Sequence, residues 1–155
     1  FLAVLNNPRQ DIPLLGVMHS KFGNFTEEEI AKIRLINNKS GRLFDSMTVY
    51  GEKGGDSVLK NKTVEFLSQI KYWRDKAVYI TVYELLEAVL QETGYLHYCI
   101  ALPGGEQRRA NLLVLLQKAK EFGSSGYSGL FDFIRYIELM KEKEIDFTFS
   151  IKPSL

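Results

Sequence analysis

The side chains with the clearest chemical reach lie at a corner, Pro103-Gly104-Gly105, followed by Glu106, Gln107, Arg108 and Arg109. Pro103 fixes its own φ and the two glycines permit positive φ, so the chain turns there into a helix whose first amides lack partners. Such amides, together with two guanidiniums, are the arrangement that holds a phosphate. Glu106 stands in the same turn and competes for those amides. Proton transfer and nucleophilic attack have less to work with. His19 and His97 are the only histidines, and neither stands in a metal spacing such as H-E-x-x-H. Cys99, the only cysteine, sits between Tyr98 and Ile100 with no evident base and reads as a small buried hydrophobe. Glu27, Glu28 and Glu29 could be imagined as a metal or acid–base cluster, but directly after Thr26 they make a capping box at the positive end of a helix dipole. The sequence contains no Gly-Lys-Ser/Thr phosphate loop, no G-x-G-x-x-G and no G-x-S-x-G. By itself the chain supplies no catalytic set, metal site or cofactor site.

Composition narrows the field further. A chain of 155 residues, 45% of them apolar, can build a substantial core. With 20 basic and 19 acidic residues the formal charge is +1, so binding to nucleic acid would need a local patch. A single cysteine excludes an internal disulfide and a cysteine metal cluster, and suits a reducing compartment. No apolar run approaches the ~20 residues that cross a bilayer, and no basic-then-apolar signal segment opens the chain. The N-x-S/T triplets at Asn24, Asn38 and Asn61 read as chance. The chain begins at Phe1 inside an apolar, helix-like run and stops at Lys152-Pro153-Ser154-Leu155, as expected of a piece of a longer polypeptide.

The elements that would position these residues are helical. Residues 1–6 suit the last turns of a helix closed by Asn6-Asn7-Pro8. Asp11 can cap a short helix reaching His19, and Thr26 opens another that buries Ile30, Ile33 and Ile36. A weaker helix runs from Leu43 to Tyr50, and Gly51 to Asp56 reads as a flexible loop. From Ser57 to Ala77, Leu59, Phe66, Ile70, Trp73 and Ala77 share one face, while Lys60, Lys62, Lys71, Arg74 and Lys76 give the other faces a modest positive excess. That excess is either a solvated face or a phosphate-facing one. Thr81-Val-Tyr-Glu84 is a second capping box, for a helix that buries Val82, Leu85, Leu86, Val89 and Leu90 and ends at Gly94. The helix after the corner continues to Gly123, and its run Leu112 to Leu116 predicts a central position covered on more than one side. After the small-residue connector from Gly123 to Gly129, Ser128 can cap a last helix to about Lys143 with Leu130, Phe133, Ile134, Ile137 and Met140 inward. The tail from Ile145 shows no clear element. The expectation is one all-α domain over 1–155, an irregular bundle of about six or seven helices.

Three segments carry a resemblance: NNPRQDIPLLGVMHSKFGNFTEEEIAKIRL, TGYLHYCIALPGGEQRRANL and GLFDFIRYIELMKEKEIDF. In order and approximate spacing they resemble the A-type chain of the AddAB-type ATP-dependent helicase/nucleases, UvrD/Rep-like superfamily I helicases of bacterial DNA break repair and recombination. The resemblance covers nearly the whole chain. It implies the helical subdomain, often called 2B, inserted into the second motor domain, which would guide duplex DNA or regulate the motor. It further implies a bacterial cytoplasmic setting and three kinds of partner: duplex DNA with a single-stranded tail, a B-type second subunit, and the motor domains of the same chain. No membrane is implied. ATP and Mg would serve the parent protein, whose ATP-binding lysine and nuclease carboxylates are absent here. The sequence departs from the family at Met18-His19-Ser20-Lys21, where Leu-Arg-Ser-Pro is usual, and at Leu113 and Leu116, where basic or polar residues often stand. The residues assigned to DNA phosphates are Arg108 and Arg109, then Lys60, Lys62, Lys118 and Lys120. The alternative is a structural or protein-docking helical module without DNA contact.

Overall fold

The computed structural model describes residues 1–37, 41–124, 126 and 129–142. Among them all regular structure is helical, as the sequence predicts: α1 Leu2–Asn6, α2 Asp11–His19, α3 Glu27–Leu35, α4 Leu43–Lys53, α5 Ser57–Ala77, α6 Val82–Glu92, α7 Tyr95–Ala101, α8 Gly105–Ser124 and α9 Leu130–Glu142. The aromatic segment before the corner coils into α7, which adds to the expected number. The proposed Ser128 cap, Asn38 and the tail from Ile145 lie outside the described residues. The chain divides into two compact units, Phe1–Lys76 and Ala77–Leu155, each described by itself.

The first unit is held by helix ends that borrow side chains from other helices. Thr26 and Glu29 form the expected capping box on α3. Asp11 does not cap its own helix. One of its carboxylate oxygens accepts from the Leu43 amide at 3.0 Å, the first of α4, and the other pairs with the Arg34 guanidinium near the end of α3. Arg34 also donates to the Gly41 carbonyl. Thus α2, α3 and α4 meet at one carboxylate. α4 runs past Tyr50 to Lys53, into what the sequence suggests is loop, closed by the Gly54 amide on the Tyr50 carbonyl at 2.8 Å, and its Glu52 carbonyl also receives the Lys60 amine at 2.8 Å. Asp56 then caps α5, accepting from the amides of Val58 and Leu59. The core beneath comprises Val4, Leu14, Val17, Met18, Phe25, Ile30, Ile33, Leu43, Met47, Tyr50, Leu59, Phe66 and Ile70. Phe25 meets Phe66 edge-on at 5.3 Å. Ser46 is fully buried among these residues and its Oγ has no hydrogen-bond partner.

In the second unit α6 buries all five residues that the spacing assigns, Val82, Leu85, Leu86, Val89 and Leu90, behind the expected capping box of Thr81 and Glu84. Gly94, at φ 63°, turns the chain from α6 into α7. α8 packs on α6 and α7. It touches three helices of its unit, yet its apolar run is not fully covered: Leu112, Val114, Leu115 and Leu116 are only half-buried and Leu113 is 47% exposed. Only Gly105, Ala119 and Phe122 of α8 are buried. α9 is likewise under-covered, for Phe133 is buried while Leu130, Ile134, Ile137 and Met140, all expected inward, stay half-buried. Phe122 joins the two helices by ring contacts with Phe133 at 5.4 Å and Tyr136 at 5.6 Å. The apolar pattern carries the period of each helix, but no information about how many faces find a neighbour.

The shared carboxylate should matter more than a lone cap. Asp11→Ala should cost about 1–2 kcal/mol in urea unfolding, the sum of a lost cap and a partly exposed ion pair. Ser46→Ala, which removes an unpaired buried hydroxyl, should leave stability within about 1 kcal/mol of the parent or raise it.

Candidate nucleic-acid interface

The six cations assigned to phosphates divide into two sets with different surroundings. Lys60 and Lys62 stand on α5 and both are turned into the fold. Lys60 is half-buried on the Glu52 carbonyl. Lys62 donates to the Asn24 carbonyl and to Glu29 Oε2, each at 2.7 Å, and lies 4.6 Å from the centre of the Phe25 ring. Asn24 is held with φ at 52°, a conformation unusual for a residue with a side chain, and Lys62 satisfies its carbonyl there. Burial alone would raise the Glu29 pKa, but the bonds from Lys62 and Thr26 outweigh it and hold the carboxyl below its ordinary value. Lys60 is thus bonded to the end of α4, and Lys62 to the loop and capping carboxylate before α3.

The remaining four lie on α8. The corner is built as its residue types require: Gly104 takes φ 72°, and a Cβ on Gly105 would stand 2.0 Å from the Ile100 carbonyl oxygen. Arg108 is exposed and its Nε bonds the Pro103 carbonyl at 3.3 Å, which fastens the corner. Arg109 is exposed and forms a long, solvent-exposed ion pair with Glu106 three residues earlier, at 3.8 Å. Lys118 is bound by Glu121 at 2.9 Å. Lys120 is exposed and makes no ion pair among the described residues. The helical period decides which of these can act together. Arg109 and Lys120 fall on one outward face, about 16 Å apart at 1.5 Å per residue, with Leu113 and Gln117 between them. Arg108 is about a quarter-turn away, and Lys118 lies on roughly the opposite side. The structure therefore brings Arg109 and Lys120 onto one exposed stripe, leaves Arg108 beside it, and separates Lys118.

Such a stripe can neutralise phosphates, but it cannot break bonds. Among the described residues no three His, Cys, Asp or Glu side chains are grouped to hold a metal. Cys99 is buried, and the Tyr95 phenol beside it is pushed up, first by burial and then by its bond to the Cys99 thiol. No helix of the described residues is long and apolar enough to cross a membrane. One exposed cation outside the assigned set is Arg135 on α9. Its signal in the sequence is its spacing, four residues from Phe131 and four from Leu139.

No family model matches the sequence. The chain is, however, similar over 94% of its length to proteins named as the A subunit of an ATP-dependent helicase/nuclease, at 42% identity in Alkaliphilus oremlandii and 41% in Alkaliphilus metalliredigens. A protein of the same name from Clostridium novyi is 40% identical over 90% of the chain. The resemblance carried by the three sequence segments is borne out. In each case the chain spans about 12% of the relative's length.

The two sets of cations should separate in stability measurements. Lys62→Ala should lower stability by about 1–2 kcal/mol, since it strips Glu29 and Asn24 of a half-buried partner. Arg109→Ala and Lys120→Ala should stay within about 0.5 kcal/mol of the parent, as ordinary surface changes do. A pH series gives an independent check on the same pair. Because the folded Glu29 pKa lies below its unfolded value of about 4.3, its contribution is present above that value and lost as pH falls through the folded one. Glu29→Gln should flatten this acid limb of the stability curve.

Proposed function

We propose that this chain, similar over nearly all its length to one segment of the A-type chain of ATP-dependent helicase/nucleases, is a helical subdomain of such an enzyme that contacts duplex DNA through α8. In this reading it is the 2B-like insertion of the second motor domain, and it guides the duplex or regulates the motor during double-strand break repair and recombination in the bacterial cytoplasm. ATP and Mg act in the motor domains, strand cleavage occurs elsewhere, and a B-type subunit completes the enzyme. The observation that carries the reading is the 42% identity over 94% of the chain, matched to a stretch amounting to 12% of a protein so named.

The exposed stripe of Arg109 and Lys120 supports the DNA contact. Two exposed cations, Arg109 with only a solvent-exposed 3.8 Å pair to Glu106 and Lys120 with no ion pair among the described residues, suit a role in which phosphates are neutralised and no base is read, because a motor must act on any sequence. The fixed corner holds the start of α8, so the stripe is presented by a stiff rod and not by a loop. Lys60 and Lys62 are left out of the contact set because their amines already serve the fold.

The test is binding of the purified chain to a labelled duplex with a single-stranded tail across a salt series. Affinity should fall steeply with salt, and Arg109→Ala/Lys120→Ala should weaken binding and reduce the log–log salt slope by about two, close to one per lost phosphate contact. Binding that ignores the double substitution, or no binding even at low salt, would remove α8 from the DNA-contacting surface.

A further inference from the structure

We draw no further inference here: the strongest candidate, the surface cluster of Tyr95, Tyr98 and Arg108 where α7 turns into α8, is a pair of part-exposed rings beside a guanidinium already fastened to the Pro103 carbonyl, and nothing in the structure shows what covers it.

Discussion

Short helices have too many loose ends, and the first unit depends on how those ends are closed. Each helix leaves amides at one end and carbonyls at the other without partners, and a fold of short helices multiplies the problem. Asp11 serves the first amide of α4 and the last turn of α3 at once, while Lys60 takes a terminal carbonyl of α4. Lys62 ties the loop at Asn24 to the capping glutamate of α3. The Asp11 and Lys62 bonds are partly shielded from water and the Lys60 bond is exposed, and together they tie helix ends to the elements around the core. Removing one of them leaves an unpaired group as well as a missing bond, which is why their loss costs more than that of an exposed ion pair.

The same closures determine what is left for function. The chain is nearly neutral, so every cation committed to a helix end is withdrawn from any external phosphate. Lys60 is committed to a helix-end carbonyl and Lys62 to a loop carbonyl and a capping carboxylate, while Lys118 is paired with Glu121 along α8 itself. Arg108 is half committed, through the Pro103 carbonyl. Arg109 and Lys120 remain, and α8 places both on its outward face. A basic residue count along the sequence would rank all six equally. The geometry ranks them by whether the amine or guanidinium still has donors to offer.

Local features are legible in the sequence and tertiary ones are not. Both capping boxes can be read because Thr26 with Glu29, and Thr81 with Glu84, complete their bonds within four residues. The five buried positions of α6 follow from a clean period and a single covered face. Asp11 reads from the sequence as the cap of its own helix because its true partners, Arg34 and Leu43, stand far along the chain, where spacing gives no guidance. The end of α4 is hidden for another reason: Gly51 sits inside the helix, and the Gly54 amide closes its last turn on the Tyr50 carbonyl. The apolar run of α8 is legible as helix but not as exposed helix. Periodicity reports that a face wants cover, and is silent on whether the chain in hand provides it.

That silence becomes informative in the second unit. α6 finds cover for its whole apolar face, whereas α8 leaves Leu112 to Leu116 half in solvent and α9 buries little beyond Phe133. α5 mixes the two on its exposed sides, with Lys71, Arg74 and Asp75 beside exposed Val58, Val64 and Tyr72. The period of the apolar residues thus sets which side of α8 and α9 packs, and the neighbours within the unit set how much of that side is covered.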